Sequence, residues 1–257
     1  MIYKGQNLKF LMLNINERME KGVGIMLSFV FYFLACNEIA KIVKPLGFKR
    51  YNRFFYRITE DGVVQQFCLL CLRGKFTIRF TLNSILCDND KTKEGSEIYQ
   101  IIDGTNSWIG ENFDRSVING MTIYNHKPIS YEEGINICKD ALIDVLLPYF
   151  EKTKESKDAH YYMLKNDSLV KSGTKDFDAR EIGFYLTEEN YDKAKEVLEY
   201  YIVNKDKWNK RWWEEREVEY QKLYDAIKKN DVNYIQGYKK EKRRKTCLEL
   251  GLCVMQE

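Results

Sequence analysis

Two clusters of side chains near the C-terminus have the composition of binding sites. Trp208, Trp212 and Trp213 lie in a charged segment, and tryptophan is among the side chains that anchor protein interfaces. Six cations follow in a short run whose charge suits an anion such as a nucleic-acid backbone. They are Lys239, Lys240, Lys242, Arg243, Arg244 and Lys245.

Both clusters also have a simpler interpretation within a folded chain. Trp213, Tyr220, Tyr224 and Ile227 recur at helical spacing, which predicts packing inside the molecule, with a partner-binding anchor as the alternative. A run of cations broken only by Glu241 is typical of a solvated helix face. Protein binding through the tryptophans is therefore a hypothesis, and nucleic acid is a disfavoured partner.

Motifs of the common enzyme classes are absent from the sequence. It contains no Gly-rich phosphate loop, dinucleotide fingerprint, zinc-protease motif or serine-hydrolase motif, and only two histidines. The sequence therefore predicts no catalytic residues, no cofactor and no metal site. An enzyme of unfamiliar type, using carboxylates, tyrosine and arginine, is an alternative with Arg57, Arg79 and His126 as its candidate residues.

The seven cysteines show no disulfide framework, which favours a reduced, cytoplasmic location. Cys68 and Cys71 form a Cys-x-x-Cys pair inside an apolar stretch with the pattern of a strand. Residues three apart on a strand point to opposite faces, so this pair cannot bind one metal ion. Both thiols are expected to serve as small buried side chains.

Composition predicts an ordinary folded protein. The 257 residues are 44% hydrophobic and 31% charged, and the formal net charge of +3 is too small to indicate a nucleic-acid or membrane partner. The apolar run Ile25–Cys36 is too short to span a bilayer. It has the length of a signal-peptide core, but its apolar side chains continue at helical spacing, so we favour a core helix and expect no membrane contact.

The remaining patterns predict an α+β fold in which an antiparallel β meander packs against helices and a helical C-terminal extension follows. The first helix is expected to end near Lys44, because Pro45 disfavours helical geometry in the residue before it. Three strands are predicted from apolar patterning and an Asp-Gly turn signal. They are Arg53–Thr59, Val63–Leu72 and Phe76–Leu86, and a further strand is predicted over Val117–Tyr124.

Helices are predicted to dominate the second half of the chain. Ser130 and Glu133 form a capping box before an amphipathic helix that Pro148 is expected to bend or end. Thr187 is expected to open another helix, with Ala194, Val197, Leu198 and Tyr201 as its buried stripe. Further helices are predicted over 207–228 and 232–250.

These elements predict three regions. Residues 1–25 carry no strong periodicity and are expected to be a disordered N-terminal extension, with Met26 as an alternative start. An α+β domain is predicted over 26–152, and a helical C-terminal region over 153–257. The charged stretch Lys152–Asp158 is the predicted linker between the last two.

Short motifs in the first half of the chain resemble a bacterial family. The segment Ile42–Arg57 reads IVKPLGFKRYNRFFYR, and it is followed by the Gly62, Val63, Gln65 turn and the Phe76, Thr77 strand start. The residues that carry the resemblance are Lys44, Pro45, Leu46, Gly47, Phe48, Phe55 and Arg57. Over roughly residues 29–150 the chain resembles the family catalogued as domain of unknown function 4304. This resemblance implies a cytoplasmic α+β domain and no particular activity.

The sequence thus favours a non-enzymatic protein-binding or regulatory module whose protein partner is unknown. The turn from Lys44 to Phe48 has a structural explanation, because it ends a helix, reverses the chain and directs an aromatic side chain into the sheet core. Weak nucleic-acid binding through the basic C-terminal helix is the second alternative, beside an unfamiliar enzyme.

Overall fold

A four-stranded antiparallel sheet and a set of helices form the protein, which confirms the predicted α+β class. The computed structural model describes residues 24–72, 75–89, 131–166 and 177–252. The strands lie side by side in chain order, as a meander requires. They are β1 (Lys49–Tyr51), β2 (Phe54–Ile58), β3 (Val63–Leu72) and β4 (Lys75–Ser84).

Helices account for most of the other described residues. They are α1 (Gly24–Val43), α2 (Tyr131–Ala141), α3 (Leu147–Lys152), α4 (Ser156–Asn166), α5 (Arg180–Thr187), α6 (Tyr191–Val203), α7 (Lys210–Glu214), α8 (Glu217–Lys228) and α9 (Val232–Glu249). None of the helices in this part of the chain has both the length and the apolar character that crossing a membrane requires.

The first helix ends where the sequence predicts. Helix α1 stops at Val43, and a 3-10 turn over Lys44–Leu46 leads to Gly47, whose φ of 84° is the left-handed conformation that glycine adopts readily. The backbone N–H of Phe48 then donates to the carbonyl oxygen of Val43, and the Phe48 side chain is buried. This arrangement agrees with the structural explanation of the Lys44–Phe48 turn.

Three of the strands follow the predicted meander closely, and β1 was missed by sequence reasoning. Asn52, with φ of 54°, turns the chain between β1 and β2, and asparagine is one of the non-glycine residues that adopt this conformation most readily, so Asn52 was the signal for the missed turn. Gly62, with φ of 75°, lies in the predicted turn before β3. The predicted strand at Val117–Tyr124 and the capping residue Ser130 lie outside the described residues.

Alternation of apolar and polar residues along β4 predicts one buried and one solvated face, and this prediction was partly wrong. Ile78, Phe80 and Leu82 are buried, as expected from their alternation. Thr81, which the alternation places on the other face, is buried as well, and Asn83 is only partly exposed. Packing covers part of the second face here, which period-two patterning cannot reveal.

Pro148 neither ends nor breaks its helix. A π-helical segment, Leu142–Leu146, connects α2 to α3, and the helix continues to Lys152. Proline lacks the N–H that would donate to the carbonyl four residues earlier. The wider π turn accommodates that loss, with the N–H of Leu147 donating to the carbonyl of Leu142, five residues back.

Two short helices were missed, and one helix begins later than predicted. Helix α4 begins inside the predicted linker Lys152–Asp158, where Thr153 and Ser156 are buried. Thr187 ends α5 instead of opening the next helix, because Asn190 caps α6 by accepting from the N–H of Lys193. The buried stripe predicted for α6 is confirmed in full.

The described residues divide into two compact units. The first contains residues 24–55, 68–72, 75–79 and 131–147, and α1 packs against α2 within it. The predicted linear boundary at residue 152 stays a prediction.

The second unit contains residues 56–67, 80–89, 148–166 and 177–252. Its hydrophobic core combines Tyr56, Val64 and Ile85 from the sheet region with the apolar faces of helices α5, α6, α8 and α9.

Candidate functional site

The second unit gathers aromatic side chains where α6, α7 and α8 meet. Helix α6 ends at Val203, a 3-10 turn over Lys205–Lys207 follows, and Asn209 caps α7 by accepting from the N–H of Trp212. This tight connection places aromatic residues from consecutive elements against one another. The cluster, called the aromatic surface below, consists of the partly exposed Phe177, Tyr200, Trp208 and Trp212 packed around the buried Tyr201.

Trp208 is held on the end of the helix that precedes it. Its ring centroid lies 4.7 Å from that of Tyr201 and 5.8 Å from that of Tyr200. Its indole Nε1 donates a hydrogen bond of 3.0 Å to the carbonyl oxygen of Tyr201. The Trp208 side chain nevertheless stays partly exposed, so a fixed aromatic ring faces solvent.

Trp212 is the second partly exposed tryptophan, and Arg216 holds it from one side. The rings of Trp208 and Trp212 are 6.4 Å apart in a T-shaped arrangement. The guanidinium carbon of Arg216 lies 4.8 Å from the centroid of the Trp212 ring, within the range of a cation–π contact. Arg216 also donates to the carbonyl oxygen of Trp212 at 3.1 Å and to Asp88 at 3.2 Å.

Trp213, by contrast, belongs to the core. Only 7% of its surface is exposed, and its ring packs 6.1 Å from that of Tyr220. Its buried Nε1 has no hydrogen-bond partner among the described residues. The three tryptophans named from sequence therefore divide into two surface residues and one core residue, and the helical spacing of Trp213 with Tyr220 was the signal for this division.

The basic run on α9 is largely occupied by partners within the molecule. Lys239 and Lys242 are buried, contrary to the expectation of a solvated face. Lys242 contacts Asp88 at 2.9 Å and Glu219 at 2.7 Å, and Lys239 contacts Glu189 at 3.5 Å.

The exposed members of the run are Lys240, Arg243, Arg244 and Lys245. Arg244 pairs with Glu241 at 2.7 Å, and Lys245 lies 3.8 Å from Asp88. Sequence reasoning missed Asp88 because it is more than 150 positions from its partner Lys242 and lies in a stretch with the pattern of a solvated loop.

Charge pairing around Asp88 governs its protonation. Burial alone would raise the pKa of the Asp88 carboxyl, but the cations Lys242, Arg216 and Lys245 outweigh burial and lower it. Burial would likewise lower the pKa of Lys242, whereas the carboxylates of Asp88 and Glu219 raise it. Both side chains are therefore charged at neutral pH.

The residues that carry the family resemblance lie in and around the turn before β1 and on β2. Phe48 and Phe55 are buried, while Lys44, Pro45, Leu46 and Gly47 form the exposed turn before β1. Arg57, a candidate for an unfamiliar enzyme site, donates to Gln65 at 2.8 Å and to Glu151 at 2.9 Å. His126 and the side chain of Arg79 lie outside the described residues.

The thiols of Cys36 and Cys87 show no sign of nucleophilic activation. Burial raises the pKa of Cys36 to about 11 and that of Cys87 to about 12, so both are protonated at neutral pH. No group of three or more metal-binding side chains occurs within the described ranges. No family model, curated protein or solved structure matches the chain.

Proposed function

We propose that the protein is a protein-binding module and that the aromatic surface, with Trp208 and Trp212 at its exposed edge, is its docking site. Tryptophan, tyrosine and arginine are the residue types that contribute most to protein interfaces. A rigid aromatic side chain loses little conformational entropy on binding. This surface supplies two tryptophans that are already held in place.

The contact between Arg216 and Trp212 is the observation that carries the proposal. Arg216 lies against the Trp212 ring at 4.8 Å and is itself held by Asp88. A partly exposed indole backed in this way keeps one orientation in the free protein. Such preorganisation favours affinity for a partner, because less ordering is required on binding.

Several ionisable groups that could act in catalysis are held by other side chains or kept protonated by burial, and this favours a binding role. Arg57 is engaged by Gln65 and Glu151, and Lys242 is engaged by Asp88 and Glu219. The raised pKa values of Cys36 and Cys87 disfavour thiolate chemistry. We also propose that the protein is cytoplasmic and that it is related to the family catalogued as domain of unknown function 4304.

Nucleic-acid binding through α9 has weaker support. Lys239 and Lys242 are buried, Arg244 pairs with Glu241, and Lys245 lies near Asp88. The cationic surface left for a polyanion is therefore small. If α9 did bind nucleic acid, affinity would fall steeply with salt concentration. A gel retardation series at several salt concentrations with single- and double-stranded DNA tests this alternative, and we expect no retardation.

The binding proposal is tested by affinity capture from an extract of the native host, with the chain as bait. Trp212→Ala and Trp208→Ala are compared with the wild-type chain and with Tyr161→Ala. Tyr161 is a matched control because it is an aromatic side chain, 58% exposed, on α4. Circular dichroism establishes that each variant is folded.

The expected result is a protein retained in stoichiometric amount by the wild-type chain and by Tyr161→Ala, but lost with folded Trp212→Ala. Direct titration of the captured protein against purified bait should then show at least a tenfold weaker Kd for Trp212→Ala, since a tryptophan anchor contributes roughly 2 kcal/mol or more. Equal capture by all four folded chains would overturn the proposal.

A further inference from the structure

His160 is a buried histidine between two helices of the second unit. It lies on α4 with 6% of its surface exposed. Its ring stacks on that of Phe184 from α5, with centroids 5.0 Å apart and ring planes 6° apart. The Tyr185 ring meets it edge-on at 4.6 Å. The imidazole is therefore fixed in position by α5.

Carboxylates lie at both nitrogens of this ring. Nδ1 is 3.2 Å from Oε1 of Glu188, a hydrogen-bond distance, and Nε2 is 3.9 Å from Oε2 of Glu181, the distance of an ionic contact. Nε2 has no hydrogen-bond partner among the described residues. The side chains of Glu181 and Glu188 are only 4% and 13% exposed, so water screens this arrangement poorly.

Among the residues that the structure describes, no other cation forms an ion pair with either glutamate. Glu181 accepts from the backbone N–H of Asp178 and from the Tyr185 hydroxyl, neither of which carries positive charge. The nearby Arg180 is paired with Asp178 at 2.9 Å. Helix α6 adds a further carboxylate, Glu196, which acts on Tyr185. A charged imidazolium is therefore the cation that compensates Glu181 and Glu188.

We infer that His160 is a pH-sensitive clasp: its imidazolium holds α4 against α5 through Glu181 and Glu188, and loss of its proton releases that contact. Buried carboxylates without a counter-charge are strongly unfavourable. When the imidazolium becomes neutral, the two buried glutamates lose the cation that both of them contact. Helix α4 can then move away from α5 and allow water to reach the two glutamates.

The direction of the pH effect follows from the same contacts. Burial would lower the pKa of His160, but Glu181 and Glu188 outweigh burial and raise it above 6.5. A group whose pKa is raised on folding stabilises the fold fully below its unfolded value. That stabilisation disappears as pH rises through the higher folded value. The clasp is thus closed in mild acid and opens toward alkaline pH.

Nuclear magnetic resonance titration of the imidazole protons tests the clasp directly. The chain contains only two histidines, His126 and His160, so a His126→Gln variant assigns both signals. His160 is expected to titrate with a midpoint above 6.5. Glu188→Gln keeps a hydrogen-bonding side chain but removes the charge, and should give a lower His160 midpoint than the wild-type chain.

Hydrogen exchange tests the mechanical consequence. Protection factors of the α4 amides should fall as pH rises through the His160 midpoint of the wild-type chain. His160→Phe keeps the ring stacking on Phe184 and removes the titration, so its α4 protection should not change over that interval. A wild-type His160 midpoint at or below 6.5, or α4 protection that stays constant across the midpoint, would overturn the inference.

Discussion

Gln65 Oε1 accepts a hydrogen bond of 2.8 Å from Arg57 Nε, and through this pair the β2–β3 hairpin holds the end of α3. Gln65 Nε2 donates to the carbonyl oxygens of Phe150 and Thr153 at 2.6 and 3.2 Å. Arg57 Nη2 donates to Glu151 at 2.9 Å. The last carbonyls of a helix lack partners within it, so the hairpin satisfies groups that α3 leaves open.

Replacing Gln65 with leucine should destabilise the protein by about 3 kcal/mol, because the buried carbonyls of Phe150 and Thr153 and the Arg57 guanidinium all lose a partner. Urea denaturation measures the change in the free energy of unfolding. Gln221→Leu is the matched control, since Gln221 is exposed on α8, and should change stability by less than about 0.5 kcal/mol. Equal effects of the two substitutions would contradict the assignment.

Two helical glycines should respond oppositely to alanine. A Cβ on Gly183 would lie 2.6 Å from the sulfur of Cys87 and 3.2 Å from the Cys87 backbone nitrogen. Gly183→Ala should therefore destabilise the fold by about 1–3 kcal/mol. Gly237 on α9 has open space around it, so Gly237→Ala should stabilise by up to about 1 kcal/mol through helix propensity.

Thermal and urea unfolding of these two glycine variants provide the comparison. A stabilising effect of Gly183→Ala would mean that α5 does not pack tightly against the turn that follows β4.

Asp88→Asn should destabilise the protein by about 1 kcal/mol at neutral pH, because Lys242, Arg216 and Lys245 lose a shared anion that is itself partly exposed. The pKa of Asp88 is lowered on folding. Its stabilising effect is therefore complete above the ordinary value of 3.8 and is lost as pH falls through the lower folded value.

Unfolding measured at neutral pH and again well below 3.8 should show the difference between the wild-type chain and Asp88→Asn shrinking in acid. Asp192→Asn serves as the control, because the Asp192 side chain is 96% exposed and its ion pair is with Lys195, three residues away on the same helix. Its effect should stay within about 0.5 kcal/mol. A difference for Asp88→Asn that grows in acid would contradict the pairing.

Local patterns predicted much of the fold, and their failures have identifiable causes. The end of α1, the Asp61-Gly62 turn, strand β3 and the α6 stripe depend on residues close in sequence, and all were predicted. Helix α5 is short, with an N-cap residue, Ala179, that makes no side-chain capping bond. Its start instead carries a capping-box contact, in which the backbone N–H of Asp178 donates to Glu181, and sequence reasoning overlooked this signal.

The candidate site was predicted only in part. Aromatic residue types and helical spacing identified Trp208, Trp212 and Trp213, and suggested an inward role for the last. Spacing alone could not show that Arg216 lies against Trp212 while binding Asp88, since that carboxylate is 128 positions away. No motif or spacing in the sequence indicates a role for His160.

The amino-acid sequence by itself determined the α+β class and the positions of most strands and helices, because these depend on hydrophobic periodicity and on turn residues within a few positions. The tertiary structure alone decided which charges became buried partners. Asp88 with Lys242, and His160 with Glu181 and Glu188, meet because packing brings distant segments together in poorly screened surroundings, where a charge must find its counter-charge.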